Sequence, residues 1–185
     1  MTTLLTPPKI ANLRKLVKLA TTRTSGHVAE LGVYKGGSAK IILESCNDWR
    51  AVYLFDTFEG LPKPGPTDGP VLKEGGFAAP LSEVYAEFDG VNPNRLHFEV
   101  GVFPDSAYGL ESLRFAFVHV DVDLAASVTA ACEWFFPRMN PGGIVLFDDY
   151  GCPQTPGAKP ALVQYCQEHS YTLVDLGTRQ AMVEF

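Results

Sequence analysis

The sequence of 185 residues has no run of basic residues and no long apolar segment. Its lysines and arginines number 15 against 21 aspartates and glutamates, which gives a net charge of −6 at pH 7. Because nucleic-acid binding relies on basic side chains that neutralise phosphates, we expect no nucleic-acid partner. No stretch approaches the roughly 20 apolar residues needed to cross a bilayer, so we expect no membrane association.

Cysteine pairs and a secretion signal are also absent. The segment Met1–Pro8 has no apolar core of the kind that a signal peptide requires, and we therefore expect a cytoplasmic protein. The four cysteines lie far apart and form no C-x-x-C pair, which argues against a zinc site and a disulfide framework. They are Cys46, Cys132, Cys152 and Cys166. We expect reduced thiols in or near the core, since free cysteine behaves as a small buried hydrophobe.

What the sequence does contain is a regular alternation of strand and helix patterns. The predicted strands are His27–Leu31, Ala51–Phe55, Leu96–Val100, Phe115–Val120 and Gly143–Phe147. The predicted helices are Lys9–Thr21, Ser38–Cys46, Leu81–Phe88, Leu124–Arg138 and Ala158–His169. Strands separated by helices of this length predict a single α/β domain over residues 1–185, with a doubly wound, mostly parallel sheet.

Two segments depart from this alternation. Tyr171–Leu176 and Arg179–Phe185 predict a C-terminal hairpin, which places an antiparallel strand in the sheet. The region 57–80 follows the second strand and is rich in glycine and proline. A loop of this length is usually functional, and this one lies at the carboxyl ends of the strands, where open α/β sheets bind ligands. It predicts an active-site lid, with a mobile surface insertion as the alternative.

The turn after the first predicted strand has the character of a ligand site. It runs from Glu30 through Gly32, Gly36 and Gly37 into a helix, a pattern that lets backbone approach a ligand closely. It matches neither G-x-G-x-x-G nor the phosphate-binding G-x-x-x-x-G-K-[ST]. The carboxylate of Glu30 would repel a pyrophosphate but suits a cationic ligand such as S-adenosylmethionine. The alternative is a glycine turn that only closes the strand–helix unit.

Asp56 ends the second predicted strand, near the spacing from the glycine turn at which an acidic residue reaches ribose hydroxyls. Together with Glu30 it favours an adenosine-type site, whereas its alternative role is to cap the segment that follows. After the third strand, Gly101–Ser106 is located where it could flank an adenine ring.

Four carboxylates follow the fourth and fifth strands, namely Asp121, Asp123, Asp148 and Asp149. Like charges crowded at neighbouring strand ends are unfavourable unless something compensates them, and a hard divalent cation with oxygen ligands would do so. Asp121, Asp148 and Asp149 therefore predict a metal site. For Asp123, capping of the next helix is an equal alternative to catalysis. His119 lies in an apolar strand, where a core histidine is favoured over a catalytic one.

In six segments the sequence resembles the macrocin O-methyltransferase family. The matching segments are 29–38 (AELGVYKGGS), 55–62 (FDTFEGLP), 101–106 (GVFPDS), 120–124 (VDVDL), 141–143 (PGG) and 148–151 (DDYG). The resemblance implies a class I methyltransferase fold with a seven-stranded sheet that ends in the hairpin. It also implies magnesium-dependent methylation of a hydroxyl on a small molecule such as a sugar, a polyol or a catechol-like natural product.

The resemblance carries cofactor roles onto residues of this chain. Glu30 and Gly32 would line the methionine end of S-adenosylmethionine, and Asp56 its ribose. The full set implied for this cofactor is Glu30, Gly32, Tyr34, Gly36, Ser38, Asp56, Thr57, Gly101, Phe103 and Asp121.

The resemblance also implies a metal set and a proton acceptor. Asp121, Asp148 and Asp149 would hold Mg²⁺ or another divalent cation, which would orient the substrate oxygens and lower the pKa of the attacking hydroxyl. Asp121 is the leading candidate for the proton acceptor, followed by Asp123 and His119.

The remaining expectations concern partners and alternative functions. The expected partner is a hydroxylated small molecule. Only 27 residues precede Val28, fewer than in family members, so the acceptor pocket is expected to be open or completed by a partner subunit. The apolar face of Lys9–Thr21 has to pack against another surface, which also favours a homodimer. The alternatives are a noncatalytic S-adenosylmethionine-binding module and an NAD-linked oxidoreductase, and the missing G-x-G-x-x-G motif and the hairpin argue against the second.

Overall fold

The computed structural model describes residues 3–47 and 49–185, and within them one seven-stranded sheet. Its strands are β1 (His27–Leu31), β2 (Val52–Asp56), β3 (Leu96–Val100), β4 (Phe115–Val120), β5 (Met139–Phe147), β6 (Leu173–Asp175) and β7 (Ala181–Glu184). Their order across the sheet is β3-β2-β1-β4-β5-β7-β6. β1 to β5 are parallel, and β7 is antiparallel to both of its neighbours. The predicted α/β class and C-terminal hairpin are confirmed.

Helices cover both faces of this sheet. The α-helices are α1 (Pro7–Arg23), α2 (Gly37–Ser45), α3 (Leu81–Ala86), α4 (Ala125–Phe135) and α5 (Ala158–Glu168). Successive strand residues point to opposite faces. Val28 accordingly packs in a cluster with α1 and α2, whereas Ala29 packs in a second cluster with α4 and α5. The sheet is therefore doubly wound, as predicted.

The apolar face of α1 is buried within the chain itself. Leu13, Leu16, Val17 and Ala20 recur at helical spacing and are at most 5% exposed, and they belong to the cluster that α1 shares with α2 and the sheet. This face therefore packs within the chain and does not need a partner subunit to cover it. The apolar face of α1 therefore gives no support for a homodimer, which stays a prediction.

The element boundaries differ most where proline and glycine interrupt the pattern. β5 begins at Met139, four residues before the predicted start at Gly143. Its register with β4 shifts between Phe115 and Phe117, because the glycines let the strand bulge and continue. α4 ends at Phe135, and residues Phe136–Arg138 form a 3₁₀ turn instead of further α-helix.

Two other expectations bear on the compartment. No helix among the described residues is both long and apolar enough to cross a membrane. All four cysteines are free thiols, of which Cys152 alone is not buried. Residues 1 and 2 of the segment Met1–Pro8 lie outside the described residues, and a cytoplasmic location stays a prediction.

Candidate active site

A cavity of about 260 Å³ opens at the carboxyl ends of the parallel strands. Its walls come from the turns after β1 to β5, from the loop 57–80 and from Thr3–Leu5 near the N-terminus. Ligands bind at this edge of open α/β sheets because strand ends and helix N-termini converge there. Within the described chain the loop 57–80 contains no helix or strand. Leu61 and Phe77 from this loop line the cavity, in the position predicted for a lid.

Most of the predicted site residues line this cavity. They are Gly32, Tyr34, Ser38, Asp56, Thr57, Gly101, Phe103, Asp121, Asp123, Asp148 and Asp149. Three other predicted residues, Glu30, Gly36 and His119, are not among its lining. The sheet thus brings the predicted cofactor and metal residues together at one edge, with these three behind the wall.

Glu30 and His119 form a buried pair behind the cavity. They are register neighbours on β1 and β4, both are fully buried, and Glu30 Oε1 lies 2.9 Å from His119 Nδ1. Burial opposes a charged imidazole, but Asp148 and Glu30 outweigh it and raise the pKa of His119 to about 10. Glu30 therefore pairs with His119 and is not among the residues that line the cavity, and its contact with the methionine end of the cofactor stays a prediction.

Asp56 is bound to backbone on both of its carboxylate oxygens. Oδ2 accepts N–H bonds from Val33 at 2.7 Å and Tyr34 at 2.9 Å, and Oδ1 accepts one from Phe58 at 2.8 Å. The bond from Phe58 caps the segment that follows, which is the alternative role suggested for Asp56. The bonds from Val33 and Tyr34 also tie the side chain to the turn after β1. It also lines the cavity, so the two roles are compatible.

Gly32 is required by the close packing of the protein itself at this point. Its φ is +91°, and a Cβ on this residue would lie 1.8 Å from the backbone oxygen of Asp121. The missing side chain lets the ends of β1 and β4 approach each other, where the Asp121 N–H donates to Leu31 at 2.9 Å. At Gly36 a Cβ would lie 2.9 Å from the ring of Phe88, so the missing side chain here also makes room for close packing within the protein.

Three carboxylates converge at the ends of β4 and β5. Asp121, Asp148 and Asp149 each offer an oxygen, and these oxygens lie within 4.8 Å of one another. Burial and the charges of Asp148 and Asp149 raise the pKa of Asp121 well above its ordinary value. Burial and Asp148 likewise raise the pKa of Asp149 to about 6. The negative charge of the three carboxylates therefore exceeds the positive charge that surrounds them.

Asp123 lies beside this cluster in a left-handed backbone conformation. Its φ is +62°, and its backbone N–H donates to Asp149 Oδ2 at 3.0 Å. Burial and the nearby Asp149 raise its pKa to about 7. It does not cap α4, because the Ala125 N–H at the start of that helix donates to Asp68 Oδ1 at 2.7 Å. The capping alternative for Asp123 is therefore wrong, and Asp68 from the lid-like loop has that role.

Lys9 is a site residue that the sequence patterns did not single out. Its Nζ donates to the backbone oxygen of Asp148 at 2.8 Å and also contacts Asp148 Oδ2. One signal in the sequence could have identified it. A lysine in the first turn of a helix opposes the helix dipole, so a positive charge at this position calls for an acidic partner elsewhere in the fold.

The far side of the Asp148 carboxylate is held by the C-terminal hairpin. Gln180, which is fully buried, donates from Nε2 to Asp148 Oδ1 at 2.8 Å. Asn12 of α1 in turn donates to Gln180 Oε1 at 3.0 Å. Burial works against ionisation of Asp148, but His119 and Lys9 overcome it and lower its pKa. Asp148 therefore remains charged and fixed in position.

The donor set of this cluster fits a divalent cation. Three carboxylates from neighbouring strand ends, with room for water and substrate oxygens in an open cavity, match the way proteins bind Mg²⁺. The raised pKa values of Asp121 and Asp149 show that the cluster lacks the positive charge that such an ion supplies. Lys9 and His119 supply only part of it.

Two relatives that are named as O-methyltransferases align with much of this chain. The 8-demethyl-8-(2,3-dimethoxy-alpha-L-rhamnosyl)-tetracenomycin-C 4'-O-methyltransferase of Streptomyces olivaceus is 36% identical over 138 residues, covering 68% of this chain and 53% of that protein. The mycinamicin III 3''-O-methyltransferase of Micromonospora griseorubida is 28% identical over 177 residues, covering 87% of this chain and 68% of that protein. The chain thus spans about half the length of the first relative and two thirds of the second.

Solved structures show the same fold. The O-methyltransferase NovP superimposes with a TM-score of 0.83 at 24% identity, covering 98% of this chain and 81% of that one. A calicheamicin methyltransferase superimposes with a TM-score of 0.79 at 22% identity and the same coverage. The model of the macrocin O-methyltransferase family matches residues 2–173, and the chain therefore belongs to that family, as its sequence motifs indicate.

Proposed function

We propose that this protein is an S-adenosylmethionine-dependent O-methyltransferase that methylates a sugar hydroxyl of a natural product with the help of Mg²⁺ or another divalent cation. The observation that carries the proposal is the cavity in which the carboxylates of Asp121, Asp148 and Asp149 converge. The family and the activities for which both relatives are named support methyl transfer to oxygen. The rhamnosyl group in the name of one relative favours a sugar acceptor.

The chemistry of the cavity suits S-adenosylmethionine. This cofactor carries a positive sulfonium and a positive ammonium, which an acidic cavity stabilises. Oδ1 of Asp56 accepts a single N–H bond and retains a lone pair for a ribose hydroxyl. The residues that we assign to the cofactor are Gly32, Tyr34, Ser38, Asp56, Thr57, Gly101 and Phe103.

The carboxylates divide between holding the cation and accepting the proton. Asp121, Asp148 and Asp149 would hold a divalent cation, which orients the acceptor hydroxyl and lowers its pKa when bound. Asp123 then accepts the hydroxyl proton, because it lines the cavity but stands outside the group of three. From the sequence, Asp121 was expected to accept the proton ahead of Asp123, and this proposal reverses that order. His119 is unsuited to the role because its ring is fully buried outside the cavity lining.

The geometry of the transfer follows from the same assignment. Displacement at the methyl carbon forms the new C–O bond as the C–S bond breaks, and it requires the attacking oxygen to lie in line with the sulfur. Asp123 and the metal-binding carboxylates line the β4 and β5 side of the cavity, whereas Asp56 and Gly101 line the β2 and β3 side. We therefore assign the acceptor to the β4 and β5 side of the cavity and the cofactor to the β2 and β3 side.

The test combines cofactor binding with methyl transfer. Calorimetry measures binding of S-adenosylhomocysteine, and transfer of a labelled methyl group is measured with glycosylated natural products, including mycinamicin III. We expect Asp149→Asn to retain binding but to lose turnover at least about 100-fold. Asp89→Asn, which alters an exposed carboxylate of similar size, is expected to change neither.

The outcomes separate the parts of the proposal. No binding of S-adenosylhomocysteine would contradict it entirely. Binding without transfer to any acceptor would favour the noncatalytic module instead. Full turnover in the presence of a chelator, or in Asp149→Asn, would contradict only the proposed role of the metal. Family membership already argues against the NAD-linked oxidoreductase.

A further inference from the structure

The ammonium of Lys9 occupies a position inside the acidic cluster. Lys9 belongs to α1 and lies 139 residues from Asp148 in the sequence. Nζ contacts both the backbone oxygen and the Oδ2 of Asp148, and the side chain is only 13% exposed. A lysine so far removed from solvent needs a counter-charge, which the carboxylates of the cluster provide.

Lys9 lies at a position of α1 where its charge has no favourable interaction within the helix. Lys9 is the third residue of α1, and the first turn of that helix contains no acidic residue. A positive charge there faces the positive end of the helix dipole. The helix therefore gains nothing locally from a lysine at this position, and its favourable interaction is the one with Asp148.

Asp148 keeps its position independently of Lys9. Gln180 Nε2 donates to Oδ1 at 2.8 Å, on the oxygen that Lys9 does not contact. His119 Nε2 lies 3.8 Å from the same oxygen. Removal of the Lys9 ammonium would therefore leave Asp148 oriented and would free its Oδ2.

We propose that Lys9 is the counter-cation of the metal-free site and competes with a divalent cation for Asp148. The inference rests on the proposed metal role of the cluster. Two cations on one carboxylate repel each other, so a metal that binds Asp148 Oδ2 displaces the ammonium. Thr3–Leu5 precede Lys9 by a few residues and line the same cavity. Displacement of Lys9 would therefore take place beside the N-terminal wall of the cavity.

The test measures metal affinity in the absence of cofactor and acceptor. Free Mn²⁺ is followed by electron paramagnetic resonance during titration of wild type, Lys9→Met, Lys9→Arg and Lys15→Met. We expect Lys9→Met to bind Mn²⁺ about tenfold more tightly than wild type. Lys9→Arg, which keeps the charge, is expected to show no gain. Lys15→Met removes the same charge from an exposed position of the same helix and is expected to match wild type.

The outcomes distinguish a failure of this inference from a failure of the metal proposal. Binding by Lys9→Met alone, with none by wild type, would support competition in its strongest form. Equal or weaker binding by Lys9→Met would overturn the competition and leave the metal proposal intact. No binding by any variant would overturn both. Thermal unfolding checks that Lys9→Met is folded. If it is not, Lys9→Gln takes its place in the Mn²⁺ titration.

Discussion

Oδ1 of Asp68 accepts a 2.7 Å hydrogen bond from the backbone N–H of Ala125, which ties the lid-like loop to the first turn of α4. Asp68 is 1% exposed, and its Oδ2 accepts a second bond from Gly65 within the loop. Leu124, at the N-cap position of α4, makes no side-chain capping bond. A residue distant in sequence therefore caps this helix and fixes the loop beside the cavity.

We expect Asp68→Ala to lower the free energy of unfolding by about 1–2 kcal/mol, the usual cost of a lost helix cap. Urea denaturation followed by circular dichroism measures the change. Glu74→Ala removes an exposed carboxylate from the same loop and should stay within about 0.5 kcal/mol of wild type. If the two variants are equally stable, Asp68 does not cap α4.

A second prediction tests the close approach at Gly32. Gly32→Ala should lower the free energy of unfolding by at least about 3 kcal/mol, because its Cβ meets the backbone oxygen of Asp121 and its φ of +91° strains any L side chain. Gly177→Ala is the matched control, since φ is +70° there but nothing lies within 4 Å of the Cβ. The control should lose only about 1 kcal/mol. Similar losses in both variants would show that strain alone matters at Gly32.

The strands were the most predictable part of the fold. β1, β3 and β4 begin and end where the sequence pattern predicts, because each predicted segment is short and is followed by glycine or aspartate. The early start of β5 was not predictable, since Pro141 and two glycines read as a break in the pattern. Only the neighbouring strand shows that the chain continues through a bulge.

The site was predictable where its chemistry follows the strand ends. Asp121, Asp148 and Asp149 follow neighbouring strands, and the sheet brings them together as predicted. Lys9 and Asp68 were missed because their partners lie 139 and 57 residues away and no periodicity links them. The pairing of Glu30 with His119 was missed because it depends on the register of β1 and β4, which the sequence does not reveal.

A third prediction concerns the coupling between Glu30 and His119. A double-mutant cycle with Glu30→Gln and His119→Asn should give a coupling free energy of about 1–3 kcal/mol in urea denaturation, because each substitution leaves the other group buried without its partner. The exposed pair Arg14–Glu44, joined at 2.8 Å, is the control.

The control cycle uses Arg14→Met and Glu44→Gln. Its coupling should stay below about 1 kcal/mol, as is usual for ion pairs in solvent. Equal couplings in the two cycles would mean that the buried pair contributes no more than a surface pair, and that Glu30 has no special role in holding His119.

The last prediction concerns how the C-terminal end of α1 is anchored. Arg50 is 3% exposed, and its guanidinium donates to the backbone oxygens of Thr21 and Thr24 at 2.7 Å each, and to that of Gly26. These carbonyls lie at the end of α1 and in the turn before β1. Arg50 therefore satisfies two acceptors that the helix end leaves free and one in the turn that follows.

Arg50→Met should lower the free energy of unfolding by at least about 3 kcal/mol, because three carbonyl groups lose a charged donor in a buried setting. Arg50→Lys, with a single donor group, should fall between this variant and wild type. Arg23→Met removes an exposed arginine from the same helix, one that contacts Glu184 at 2.7 Å, and should lose less than about 1 kcal/mol. If Arg50→Met is no less stable than Arg23→Met, water replaces the guanidinium at these carbonyls and α1 is held in place by its apolar face alone.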